Sequence, residues 1–211
     1  MWGRGVVIIA LATGCSTPKR VSVDVAPVNA LVPEDLRPTL TFESRELVVE
    51  VDGTKARYVM PVPKGYLIMP WVKPDAADRT IRLSDDQMAT FLTVGARCDG
   101  ACGVREWKQT VDKLSFAPTL ADEAIVVVSD TTTGDAATGF ERRVLITENP
   151  KLEKTTITHA AWAAGADRYW TCTFELSGPM QRATAAYVKA CDSIAHPGLV
   201  ITKSTSTPPR N

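Results

Sequence analysis

The stretch Tyr169-Trp-Thr-Cys-Thr-Phe-Glu-Leu176, together with the helix-patterned segment behind it, restricts this chain most. Successive side chains of a strand point to opposite faces. Trp170, Cys172, Phe174 and Leu176 therefore share one face, and Thr171, Thr173 and Glu175 share the other. Apolar on one side and polar on the other is the pattern of a half-buried strand in an antiparallel sheet. Gly165-Ala-Asp167 supplies the turn into it. Ser177 then stands at a helix N-cap position, and Met180, Ala183, Tyr187, Cys191 and Ile194 form an apolar stripe at helical spacing. Cys191 is thus expected to face the sheet and Cys172 the helix. A strand-to-helix disulfide between them follows as a prediction, and the chain has to fold as a sheet with a helix laid on it.

The rest of the chain fits such a frame. Leu47–Val51 and Ala56–Val62 are β-rich runs on either side of Asp52-Gly53, a strong hairpin signal. Pro63-Lys64-Gly65 turns the chain, and the apolar, Pro-interrupted stretch Gly65–Pro74 reads as an irregular crossing anchored by Trp71. Met88–Ala96 reads as a further strand, although Ser84-Asp-Asp-Gln87 also has the look of a helix start. Val104, Trp107, Val111 and Leu114 recur at helical spacing, with charged residues between them, and predict an amphipathic helix of about three turns. Ala124–Ser129, Phe140–Thr147 and Thr155–Ala163 read as strands, with the Thr- and Gly-rich Asp130–Asp135 as a loop. The expected class is α+β: an antiparallel β-sheet with two main helices packed on it.

At 211 residues and 45% apolar content, the chain suits one domain with tails and can bury a real core. Pro18, Pro27, Pro33 and Pro38 punctuate residues 16 to 38, which read as a linker, so the domain is expected over 39–200. Residues 201–211 read as a disordered polar tail. The formal net charge is zero, so no basic footprint points to nucleic acid. No apolar run reaches the eighteen or so residues that a membrane-spanning helix needs.

The amino terminus carries a different message. Met1-Trp2-Gly3-Arg4 is positively charged, Gly5–Ala12 is apolar, and small residues follow, as in an export signal. Ala12-Thr13-Gly14-Cys15 resembles a bacterial lipobox, in which the cysteine receives a diacylglyceryl group and a dedicated peptidase cuts just before it. The resemblance implies a signal peptide over 1–14 and a lipid-bearing Cys15. An ordinary signal cut after Ala10-Leu11-Ala12 competes with it. Parity favours lipidation: of five cysteines, four would remain, an even set for an oxidising compartment. Two or three acyl chains make a lasting anchor where one holds only marginally. Ser16 rather than Asp after the lipidated position leans towards the outer membrane of a bacterial envelope.

The hairpin running into Val62-Pro63-Lys64-Gly65-Tyr66, the strand meander, and the closing strand and helix that carry Cys172 and Cys191 together resemble the PsbP-like fold. The resemblance covers about 45 to 195. It implies an antiparallel sheet with helices packed on it and a non-catalytic habit, with no specific partner. The segment 96–103, with its two cysteines, departs from that pattern.

Arg97-Cys98-Asp99-Gly100-Ala101-Cys102-Gly103 is the sharpest local chemistry. Flanking arginines favour a thiolate, so Cys98 and Cys102 are candidates for an envelope thiol-disulfide enzyme. The alternative, favoured here, is a small structural disulfide that pins a glycine-rich loop. Zinc needs about four ligands, and the chain holds two histidines. Four cysteines allow three connectivities, and spacing excludes none of them. His159 is read as a partly exposed strand residue, and His196 as placed against a helix C-terminus. Asp130–Asp135 resembles a calcium loop in composition only. Trp71, Trp107, Trp162 and Trp170 are read as core, with a ligand groove as the other use for them. No catalytic residue, metal or cofactor is expected. The expected role is a lipid-anchored binding or accessory module, held to membrane lipid through Cys15 and facing an envelope protein or cell-wall ligand.

Overall fold

The computed structural model describes residues 22–51, 54–69, 78–98, 106–135, 139–163 and 165–195. The fold is α+β. A ribbon of β1 (Phe42–Val51) and β2 (Thr54–Pro63) stands apart from a seven-stranded antiparallel sheet. That sheet comprises β3 (Leu67–Ile68), β4 (Arg79–Ser84), β5 (Phe91–Arg97), β6 (Val126–Asp135), β7 (Phe140–Asn149), β8 (Lys154–Ala163) and β9 (Tyr169–Ser177), in the order β3-β4-β5-β9-β8-β7-β6. The hairpin forms where Asp52-Gly53 predicts it, since Val51 pairs with Thr54 and two residues separate the strands.

One sheet face carries the main core. Phe174 and Leu176 of β9, Ile157 of β8 and Leu92 and Val94 of β5 pack beneath the ribbon and beneath α4 (Thr184–Asp192), which follows a 3-10 turn over Gly178–Ala183. Phe42, Tyr187 and Phe174 meet edge to face, with ring centroids 5.2 and 4.7 Å apart, the arrangement aromatic quadrupoles prefer. Cys172 and Cys191 are bonded across this layer, with Cα atoms 5.7 Å apart. The ribbon joins the rest through side-chain packing, through hydrogen bonds such as that from the Tyr58 hydroxyl to the Arg79 carbonyl, and through a bridge in which Val59 and Ala195 exchange both backbone hydrogen bonds at 3.0 and 2.8 Å. Near the amino-terminal end of the described residues, the Val23 amide donates to Ser44 Oγ of β1 at 3.0 Å.

The expected linker over 16–38 is corrected in its second half. Ala26–Ala30 forms α1 and Glu34–Leu36 a 3-10 turn, and Val28, Val32 and Leu36 are buried in the main core. The folded unit therefore begins well before residue 39. Of the prolines that read as linker punctuation, Pro27 has a helical use: it sits in the first turn of α1, where its missing N–H has no intrahelical acceptor to lose. Asn29 ties the segment down, donating to the Phe42 carbonyl at 3.0 Å and accepting from its amide at 2.7 Å. Residues 1–21 and 196–211 lie outside the described residues.

The other sheet face is covered by α2 (Trp107–Val111), a π turn over Asp112–Phe116 and α3 (Ala117–Leu120). Trp107, Val111 and Phe116 are buried there with Cys98, Leu145, Ala160 and Tyr169. The predicted stripe ends at Leu114, which is half-buried against this cluster, and the wider turn adds Phe116 to it. Pro118 has no N–H to offer the Leu114 carbonyl, and Arg97 Nη1 donates to that carbonyl instead, at 3.3 Å. The two helical segments thus lie on opposite faces of the sheet.

A second correction concerns Asp130–Asp135, read as a loop. It continues β6, with Thr131 opposite Val144 and Thr133 opposite Arg142. Threonine is β-branched and favours the extended chain, which outweighs its association with loops here.

Candidate functional site

The main-core face of the sheet does not close completely where α4 ends. Phe140 and Arg142 of β7, His159 and Ala161 of β8 and Trp170 of β9 belong to one face by register. With Cys191, Asp192 and Ile194 they line a cavity of about 120 Å³. Arg142 marks its open side, its side chain being 38% exposed.

The polar end is built from three charged or chargeable groups. Arg142 Nη1 donates to Asp192 Oδ1 at 2.8 Å, and Arg142 Nε donates to Thr133 Oγ1 at 2.8 Å. His159 Nε2 lies 3.3 Å from the same Asp192 oxygen, without the geometry of a hydrogen bond, and is buried with no other partner. The His159 side chain is only 8% exposed, which corrects its reading as a partly exposed residue: β8 carries it on the face that α4 covers. Burial pushes the Asp192 carboxyl up, but the His159 contact and the Arg142 and Lys189 charges outweigh it, and the carboxyl is held below its ordinary value.

Arg142 and Asp192 were not singled out by sequence reasoning, although each left a signal. Arg142 interrupts the apolar face of β7 formed by Phe140, Val144 and Ile146. Asp192 ends a helix, where the helix dipole disfavours an acid unless a cation answers it.

The predicted site residues are not gathered here. Cys15 and Cys102 lie outside the described residues. Cys98 is buried and disulfide-bonded on the opposite sheet face. Cys191 does line the cavity, and Cys172 stands opposite His159 in the β8–β9 ladder. Asp130 is engaged by the Arg143 guanidinium through two hydrogen bonds of 2.8 and 2.7 Å, which hold its carboxyl below the usual range. Among the described residues, no group of three or more His, Cys, Asp or Glu side chains is placed to hold a metal ion. None of the described helices is long and apolar enough to cross a membrane. Of the four tryptophans named above, Trp170 lines the cavity, Trp107 stacks on Trp162 at 5.9 Å on the opposite face, and Trp71 lies outside the described residues, as does His196.

No protein-family model matches the chain, and no curated protein matches it in sequence. Among solved structures, the chain is similar to the solution structure of cyanobacterial PsbP (CyanoP) from Synechocystis sp. PCC 6803. The identity is 10%, with 66% of this chain and 86% of that one covered at a TM-score of 0.44. It is also similar to the Ran-binding protein Mog1p of Saccharomyces cerevisiae, at 11% identity, 74% and 96% coverage and a TM-score of 0.44. At this distance no activity is taken from either.

Proposed function

We propose that this protein is a lipid-anchored envelope protein that acts as a non-catalytic binding or accessory module. The observation that carries the binding part is the chemistry of the cavity. Its imidazole lies beside sulfur, as a cysteine nucleophile and its base would, yet Cys191 in the wall is bonded to Cys172. The acid is paired with Arg142 rather than poised beside a hydroxyl. Such a cavity selects and holds. The anchor part rests on the lipobox-like Ala12-Thr13-Gly14-Cys15 and on cysteine parity.

The competing reading, a thiol-disulfide enzyme using Cys98 and Cys102, needs an exposed sulfur in a polar setting. Cys98 is 5% exposed and packed among Trp107, Val111 and Tyr169, the setting of a staple.

Thiol labelling of the native full chain tests the choice. Both pairs are expected to resist mild reductant until the chain is denatured. Selective opening of Cys98 and Cys102 favours the enzyme. Intact-mass measurement on the membrane fraction tests the anchor: the mature chain should start at Cys15 and carry the mass of its acyl groups, and an uncut, unmodified chain in the cytosol contradicts it.

A further inference from the structure

The cavity carries more information than the statement that something binds. Its volume is about 120 Å³. An enclosed apolar cavity of about 150 Å³ holds one benzene, and this one is open past Arg142, so it matches a single six-membered ring. Phe140, Trp170, Ala161 and Ile194 supply apolar walls.

The polar end narrows the chemistry. Arg142 and Asp192 neutralise each other. A ligand carboxylate would meet Asp192, and a ligand ammonium would meet Arg142, so neither charge sign is favoured. Asp192 accepts a single guanidinium hydrogen bond, and an ionised carboxylate has about four acceptor positions. Beside it, His159 Nε2 lies 3.3 Å from the same oxygen without hydrogen-bond geometry, and His159 belongs to the cavity lining. A hydroxyl reaching this end donates to the free acceptor positions of the carboxylate and lies beside the imidazole.

We propose that the cavity is a binding site for a neutral, single-ring hydroxyl compound of the phenol class, either free or presented as a tyrosine side chain. The proposal rests on the binding-module reading and names the ligand class of that site.

Titrating the purified full chain with p-cresol, toluene and N-acetyltyrosinamide, followed by NMR of the Trp170 indole and the His159 ring, tests it. Saturable shifts with p-cresol are expected, at an affinity about tenfold above that of toluene, the size of one useful hydrogen bond. Binding of N-acetyltyrosinamide as well assigns the ring to a protein or peptide; binding of p-cresol alone assigns it to a free compound. Ile194→Trp, which fills the cavity from its half-buried edge, should abolish the shifts. Asp192→Asn should bring p-cresol down to the toluene level. Equal affinity for toluene and p-cresol, shifts that survive Ile194→Trp, or a cavity that takes up only water each overturn the proposal. An envelope protein that binds the full chain equally well with and without Ile194→Trp, in the absence of any p-cresol binding, leaves the module reading standing and removes this one alone.

Discussion

His159 and Cys172 stand directly opposite each other across the β8–β9 ladder, so an imidazole and a disulfide sulfur share the sheet face that α4 covers. The imidazole is not where unaided packing would put a polar group. The bond from Cys172 to Cys191 fixes the helix over the imidazole, and Asp192, the next residue, is thereby brought to it.

The first expectation concerns that bond. Replacing both Cys172 and Cys191 by alanine should lower stability by about 3 kcal/mol, the typical effect of closing a loop of this order, read as a fall of the urea midpoint with a steeper slope, because the uncrosslinked chain exposes more surface on unfolding. An unaltered midpoint would show that packing alone holds α4.

Acid should act through Asp192. Its carboxyl lies below the ordinary value in the fold and near 3.9 or so in the unfolded chain. The stability it contributes is therefore complete above about pH 5 and is lost as pH falls through its folded value. Between pH 5 and pH 2, the melting temperature of Asp192→Asn should fall less steeply than that of the parent protein.

Alkali should act through buried phenols. Burial pushes Tyr58 and Tyr66 up to about 12, despite the hydrogen bonds that oppose it, and pushes Tyr187 higher still. Folded values above the unfolded value of about 10 mean a contribution that is full below pH 10 and lost as pH rises through 12. In an absorbance titration these three of the chain's four tyrosines should ionise late, together with unfolding. Ionisation near pH 10 in the folded protein contradicts their burial.

A chain truncated to begin at residue 39 should fold poorly. It loses Val28, Val32 and Leu36 from the main core, each worth about 1.5–3 kcal/mol when fully buried, and the Asp35–Arg182 ion pair besides. A chain begun at residue 22 should keep a cooperative thermal transition. Equal melting temperatures for the two would return residues 22–38 to the role of a tether.

Gly95→Ala should be among the most damaging small changes. A Cβ on Gly95 of β5 would lie 2.1 Å from the Arg79 carbonyl oxygen and 2.5 Å from the Thr80 Cα. Both are backbone atoms of the paired strand β4 and cannot swing aside. A loss of about 3 kcal/mol or more, in the range of severe overpacking, is expected in thermal unfolding; a loss near zero would mean that the strands separate easily.

The closing strand and helix were legible because two periods, 2 and 3.6, each carried a cysteine on the inner face. The ribbon was legible from Asp52-Gly53. What escaped were features decided by single long-range contacts. Val28 and Leu36 lie in a segment too short and too rich in proline to show a period, and only their partners in the main core make it structure. The π turn depends on Pro118 and on an arginine from β5, remote in sequence. The cavity depends on Arg142, His159 and Asp192, which come from three separate elements, and local patterns do not report such convergence. Only the misplaced charges of Arg142 and Asp192 hinted at it.

Two of the ribbon's fastenings have a mechanical consequence. Val23 hangs on Ser44 of β1, and Ala195 on Val59 of β2. Tension applied between residues 22 and 195 therefore enters the same hairpin from both sides before it reaches the large sheet. Should the hairpin yield, the sulfur bridge halts the peeling of the last helix at Cys191. The fold carries its own shear pin and, behind it, a stop.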